Sequence, residues 1–381
     1  MWAGAGLAVG AAIVLYTIVL YPVFLALGRR RTAPPVRKDM GFRATVSIVL
    51  AVHDGEGFIV AKLESLLALR YPAELLDILV VSDGSTDGTD GIVESFASRG
   101  VRLLRVPRGG KASAINAGLE HSSGEIVFFT DVRQPLDPDA LAHLVANFAD
   151  PSVGAVTGEL RILGADSTGV QRDMGAYWRY ELWARQRHSE IDSVFSVTGC
   201  IYAMRRSLAS PLPTDALTDD AVISQRVFFR GFRVVFDPKA IAFDYPMAGT
   251  TEFRRRLRTL AGLWQVCVRM PELFTGANRM RLDFLSHKFS RLALPWALLL
   301  AFAATLALDA SPLRSFLLIA AAFLAVLALV DGLVPRKFPL KRVTSPARTF
   351  LAMNAAALLS VVVFFVQPAT LWRTTRMKGR N

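Results

Sequence analysis

Ile78-Leu79-Val80-Val81-Ser82-Asp83-Gly84-Ser85-Thr86-Asp87-Gly88-Thr89 is the stretch whose reading decides the fold. Its apolar, β-branched start, Ile78 to Val81, reads as a buried strand, and the turn formers after it end that strand sharply. Asp83 and Asp87 are thereby delivered to the carboxyl edge of a sheet, where open α/β sheets bind their ligands. The competing reading is a plain strand–turn–helix connection, with Asp87 or Thr89 capping a helix that starts near Gly91. The flanking segments decide between the two. Upstream, Thr45 to Val52 is apolar on both faces, as a buried parallel strand should be. His53 to Gly57 is its loop, and Phe58 to Leu69 has a helical apolar period. Downstream, a helix around Ile92–Ser98 leads into a strand at Val101–Val106. This alternation predicts an α/β fold with a mostly parallel sheet and helices on both faces. Neither a Gly-x-Gly-x-x-Gly after the first strand nor a Walker A loop is present, so dinucleotide and P-loop chemistry are not indicated.

Two further segments bring charge to the same kind of edge. In Arg108-Gly109-Gly110-Lys111, the glycines let backbone approach a ligand, and Lys111 supplies a point charge suited to phosphate. A helix start with a solvent lysine is the plainer alternative. Glu125 to Asp131 is another apolar strand ending in an acid, followed by a turn and a helix with Asp137 as its expected cap. Val153 to Leu160 reads as a further strand. Two acid-tipped strands and a basic glycine loop at one edge predict a site.

The chain has 381 residues, 52% of them hydrophobic, and the apolar excess sits at the two ends. Ala3 to Leu27 is free of charge and long enough to span a bilayer. A cleaved signal peptide is disfavoured, because no basic region precedes the apolar run. Arg29–Arg31 follows at once, which places the next segment in the cytoplasm by the positive-inside rule. Leu292–Leu308, Phe316–Leu333 and Phe350–Val366 are apolar too. Asp331 is expected to reach the interface from the end of its span. If the last segment spans, the basic tail Arg373–Arg380 lies outside; if it is re-entrant, the tail stays inside. The net charge of +12 (44 Lys and Arg against 32 Asp and Glu) does not indicate nucleic acid, since the basic runs border apolar segments and suit anionic lipid headgroups. Cys200 and Cys267 are too few for a disulfide framework, in keeping with a reduced compartment. The expected order is a transmembrane helix at 1–28, a linker at 29–44, a cytosolic domain at 45–270, an amphipathic segment at 271–291 and a membrane region of two or three spans at 292–381. Gln171 to Ile191, with Tyr177, Trp178, Tyr180 and Trp183, offers aromatic faces for sugar rings or, preferably, an amphipathic interfacial helix.

Ser82–Thr89, Gly110-Lys111 with Asn116–Gly118, and Asp131 with Pro138–Leu141 resemble the catalytic domain of family-2 glycosyltransferases, the group of the cellulose, chitin and hyaluronan synthases. The likeness continues through Ser196–Cys200, Leu217–Asp220, Gly231–Pro238 and Arg255–Arg258, and covers roughly Thr45 to Gln265. It implies a GT-A-like domain in a plasma-membrane protein, catalytic side in the cytoplasm. It further implies inverting transfer from a nucleotide sugar, with uracil as the expected base, to a saccharide or lipid-linked acceptor in surface polysaccharide or glycolipid synthesis. Carried over by position, Asp83 accepts a hydrogen bond from the base, Lys111 and Arg258 neutralise diphosphate, and Asp131 helps hold diphosphate and a magnesium or manganese ion. Asp220 is the general base, and Thr198, Gly199 and Cys200 form the floor under the acceptor.

This sequence departs from that pattern twice. The second acid of the family's Asp-x-Asp is Arg133. A metal can still be held by Asp131, diphosphate and water; alternatively Arg133 pairs with phosphate or an acidic sugar, or points into solvent. Thr259 replaces the tryptophan of the processive Gln-x-x-Arg-Trp motif, with Trp264 a substitute platform or a packing residue. Few sugars per encounter, or a lipid-anchored acceptor, are therefore expected. The same departures motivate a second reading: a non-catalytic nucleotide-sugar sensor or scaffold for a partner synthase or export subunit.

Overall fold

The computed structural model describes residues 2–27, 33–162, 169–245, 249–335 and 338–373. The basic run Arg29–Arg31 lies outside the described residues, as does the tail beyond Arg373. The chain forms two compact units, one built on the sheet and one on helices, and the helix Gly169–Ile191 passes from the helical unit into the sheet unit after Ala184.

The sheet unit holds seven strands: β1 Val46–Val52, β2 Leu76–Asp83, β3 Val101–Val106, β4 Ile126–Asp131, β5 Val153–Ile162, β6 Ile201–Arg205 and β7 Arg233–Asp244. Their spatial order is β3-β2-β1-β4-β6-β5-β7. All neighbouring pairs are parallel except those of β6, which runs antiparallel to both β4 and β5. The continuous apolar runs behave as their composition dictates: Ile48, Leu50, Val80, Val81, Phe128 and Val156 are wholly buried, with helices supplying the covering layers. From β1 the chain turns to β2 on one side and later to β4 on the other. This is the switch point at which adjoining loops part and leave a crevice.

Register then fixes what meets at that crevice. β1 and β4 are aligned so that Ala51 faces Asp131, and β1 and β2 so that Val52 faces Ser82, one residue short of Asp83. Because β6 is antiparallel, its amino end lies at the carboxyl edge of β4: Ile201 opposes Thr130, and Thr198–Cys200 enters beside Asp131. β7 keeps register with β5 through a shift that passes over Asp237-Pro238-Lys239-Ala240, and it ends at the same edge on Asp244. A bulge there admits a proline that regular pairing would reject.

The helical unit contains helices Trp2–Leu27, Arg281–Leu306, Pro312–Val330 and Lys341–Phe364, each long and apolar enough to cross a membrane. The helix Gly249–Arg269, which carries Arg258 and Thr259, belongs to this unit although it falls within 45–270. The helix that opens at Arg281 continues through Arg291 into the apolar stretch without interruption, so the expected boundary at 291–292 is not a break in structure. Tyr177 lies under the guanidinium groups of Arg256 and Arg291, 5.3 and 5.7 Å from its ring centre, and Tyr180 packs on Trp183. Tyr177, Tyr180 and Trp183 are thus engaged in packing within the helical unit. Trp264 likewise packs edge-on to Phe289 and Phe364 and donates to Ser360 Oγ at 3.1 Å, so it is a packing residue within its own unit. Asp331 corrects an expectation as well. Rather than reaching outward it is 1% exposed, accepts from Thr344 and Ser345, and is salt-bridged to Lys341 and Arg348, which removes the cost of leaving the carboxylate unpaired.

Candidate active site

The strand end at Asp83 is closed by the loop that follows β3. Asp83 is 2% exposed and accepts from the backbone N–H groups of Gly109 (2.7 Å) and Gly110 (3.0 Å) and from the guanidinium of Arg108. Gly84 has φ +60°, and a Cβ there would come within 3.0 Å of the Arg108 backbone, so this close approach needs glycine. Gly110 has φ +88° with open space around it, immediately before the helix Lys111–Glu120. Asp83 therefore organises the glycine loop, and its expected bond to a base competes with Arg108. Asp87 caps the first turn of the Thr89–Ser95 helix, accepting from the Thr89 N–H at 3.1 Å, and also accepts from the Glu56 N–H. The Glu56 carboxylate in turn accepts from the Gly88 N–H, so the loops after β1 and β2 clasp each other.

Lys111 stands at the centre of the crevice. Its Nζ is 2.9 Å from Asp131 Oδ1 and 3.4 Å from Asp219 Oδ2. A Cβ on Gly199 would lie 3.8 Å from that nitrogen and 3.7 Å from Asp220 Oδ2. The expected Asp131, Lys111, Gly199 and Asp220 are thus brought together, with Asp219 added. Burial alone would lower the Lys111 pKa, but the charges of Asp131, Asp219 and Asp220 outweigh it and hold the ammonium protonated. Asp220, at the start of the helix Asp219–Phe229, is pushed up to about 6 by burial and by the neighbouring Asp219 charge, while Lys111 pulls the other way. A carboxylate so tuned is ionised near neutrality and still basic enough to take a hydroxyl proton.

The floor is held from behind. Thr198 N donates to Thr157 Oγ1 (2.7 Å), and Thr198 Oγ1 accepts from Arg185 (2.7 Å) and donates to the Gly158 carbonyl. The Cys200 carbonyl accepts from Thr130 Oγ1 at 2.8 Å, and burial pushes its thiol up to about 12, far from a reactive thiolate. Thr130 in turn accepts from Lys62 Nζ at 2.6 Å. Burial lowers the Lys62 pKa to about 7, with the Asp131 carboxylate opposing the shift.

Of the readings left open for Arg133, the structure excludes the solvent-facing one. The side chain is ion-paired with Asp244 at the end of β7, both largely buried, and Gln134 Nε2 bonds the same carboxylate at 3.1 Å. Among the described residues no group of three His, Cys, Asp or Glu is placed to hold a metal. Asp131, with a side chain 36% exposed, can supply one carboxylate. That donor set fits a magnesium or manganese ion whose other ligands are diphosphate oxygens and water, and no more. Arg258 lies on a helix of the other unit.

Sequence reasoning passed over Lys62, Arg185 and Asp244, and gave no role to Asp219, which it placed within the motif Leu217–Asp220. Only Asp219 carried a signal, as the neighbour of Asp220. The others act through contacts far apart in the chain.

The model of glycosyl transferase family 2 matches residues 47–212, and that of glycosyl transferase family group 2 matches residues 131–334, more than half of the chain. A probable glycosyltransferase, YdaM, of Bacillus subtilis is 27% identical over 289 residues, which are 71% of this chain and 69% of that protein. The poly-β-1,6-N-acetyl-D-glucosamine synthase of Staphylococcus aureus is 27% identical over 249 residues, covering 63% of this chain and only 57% of the synthase. Among solved structures, the mannosyltransferase PcManGT of Pyrobaculum calidifontis, in complex with GDP-Man and Mn2+, has a TM-score of 0.74 at 25% identity. That match covers 94% of this chain and 98% of the other.

Proposed function

The chain belongs to glycosyl transferase family group 2, and on that premise we propose an inverting transferase that moves a sugar from a nucleoside-diphosphate donor to a saccharide or lipid-linked acceptor. The observation that carries the reading is the Asp220 carboxylate beside Gly199 and Lys111, its pKa raised to about 6 by burial and Asp219. In the proposed reaction the acceptor rests on Thr198–Cys200, and Asp220 takes the proton from its hydroxyl as that oxygen attacks the anomeric carbon. The bond to the nucleoside diphosphate breaks on the opposite face, so the anomeric configuration inverts. Lys111, released from its carboxylates, meets the negative charge that develops on the leaving diphosphate. A divalent ion held by Asp131 and the diphosphate would add positive charge to the leaving group.

Asp83 is assigned to the base, with Arg108 giving way on binding. Uracil, the first expectation from the sequence, and guanine, held by the similar mannosyltransferase, both carry a ring N–H that a carboxylate can accept from. We place the protein in the plasma membrane through its four apolar helices, with the sheet unit in the cytoplasm. Thr259, which bonds its own helix at Arg255 O, and the packed Trp264 support one or a few additions per encounter. An acceptor anchored by its own lipid, and a partner synthase or export subunit, complete the proposal.

Detergent-purified protein incubated with labelled UDP- and GDP-sugars tests it. Wild type should release nucleoside diphosphate in step with product, and Asp220→Asn should bind nucleotide but transfer about 100- to 10,000-fold more slowly. The ion pair of Arg133, where the family has an acid, favours one alternative, a nucleotide-sugar-binding scaffold. Tight donor binding without turnover by wild type would select it.

A further inference from the structure

The apolar face of the helix Glu56–Leu67 is formed by Ile59, Leu63 and Leu66, each at most 1% exposed, and Lys62 sits in the same row at 1%. That position calls for an aliphatic residue. Among the described residues no carboxylate pairs with Lys62, so its burial is a cost that packing does not explain. Its Nζ has two partners: it donates to Thr130 Oγ1 and to the Gln134 carbonyl, each at 2.6 Å. Thr130 Oγ1 in turn donates a hydrogen bond to the Cys200 carbonyl at 2.8 Å. Thr130 precedes Asp131, Gln134 follows the turn after it, and Cys200 belongs to the floor. One amine therefore ties the donor-side acid, its loop and the acceptor floor together.

We propose that Lys62 is a positioning residue of the transfer site, bonding Thr130 and Gln134 so that Asp131 and the Thr198–Cys200 floor keep one fixed separation. The proposal rests on the transferase reading for its effect on catalysis, though not for its effect on local rigidity. Two donated bonds need only two N–H groups, so Lys62 works whether or not it carries a third proton. A hydroxyl that accepts from an amine donates more strongly itself, which stiffens the link to Cys200. Separation matters because a misplacement of about 1 Å between reacting groups costs about 100-fold in rate.

The test compares full-length wild type with Lys62→Met, which keeps the volume and removes the buried amine, in three measurements. Thermal stability should stay within a few degrees of wild type, because relief of the buried amine offsets the Gln134 carbonyl left without its donor. Transfer kcat should fall about 10- to 100-fold with donor KM within about 3-fold, and the ratio of donor hydrolysis to transfer should rise. Amide exchange should quicken in both 131–134 and 198–201. Thr130→Val should reproduce the kinetic effect, and the double variant should be no worse than either single one. Folded Lys62→Met that transfers within about 3-fold of wild type, unchanged exchange in the two segments, or effects that multiply in the double variant would each overturn the proposal. If wild type makes no product, the transferase reading fails, and the exchange data still decide the role of Lys62.

Discussion

Replacing Asp219 by asparagine should move the acid limb of the pH–rate profile downward, and the site geometry sets both the sign and the size. In wild type the limb should lie near pH 6, the value to which burial and the Asp219 charge raise Asp220. Asp219→Asn removes the like charge. It also frees Lys111 from the carboxylate 3.4 Å away, leaving more of its field for Asp220. Both changes favour ionised Asp220, so they act in the same direction. Unit charges 4 Å apart at an effective dielectric of 20 interact by about 4 kcal/mol, which corresponds to about three pKa units. Desolvation persists and Asp131 keeps its hold on Lys111, so the expected net shift is smaller, about one unit. The assay is kcat/KM for donor between pH 4.5 and 8, with the limb read as a property of the coupled pair. A limb that stays in place or moves upward in a folded Asp219→Asn would refute this electrostatic reasoning.

Lys111→Met should move the same limb upward, because Asp220 then loses the cation that favours its ionised form, and donor KM should rise at least about 10-fold; a pH profile with KM at each point checks both. Chelation should lower donor affinity and magnesium or manganese restore it, measured by calorimetry with a nucleoside-diphosphate sugar; full affinity in excess chelator would show that Lys111 and its basic neighbours suffice. Arg133→Met should lower the melting temperature by several degrees, since it leaves Asp244 buried with only Gln134 and a backbone N–H among its known partners. Sizing the products of a lipid acceptor should show one or a few added sugars, and long polymer made without a lipid primer would contradict the reading of Thr259.

How much of this was legible in the chain depends on how local the cause is. Strands β1 to β4 fall within two residues of the expected limits, because β-branched runs ended by Gly, Asp and Ser carry their own boundaries. β6 was not legible as a strand: five residues after a glycine turn have no period of their own, and pairing with β4 and β5 makes them one. β7 was not read as a strand either, because Pro238 interrupts its apolar run, and the bulge against β5 is what accommodates that proline. In the site, the acids at strand ends could be placed by sequence because the sheet delivers them. Partner choice could not. Arg133 was left between phosphate, sugar and solvent, and its partner Asp244 lies 111 residues away. Lys62 escaped notice because the apolar period around it continues unbroken on both sides.

The measurement that bears most directly on the central claim is the anomeric configuration of the first product, followed by NMR with α-linked UDP- and GDP-sugars as donors, for wild type and Asp220→Asn side by side. The site as described predicts a β-linked product from wild type. It predicts loss of that product by about 100- to 10,000-fold in Asp220→Asn, the usual contribution of a general base, with nucleotide binding intact. An α-linked product, or the same rate of β-linked product from both proteins, would contradict it.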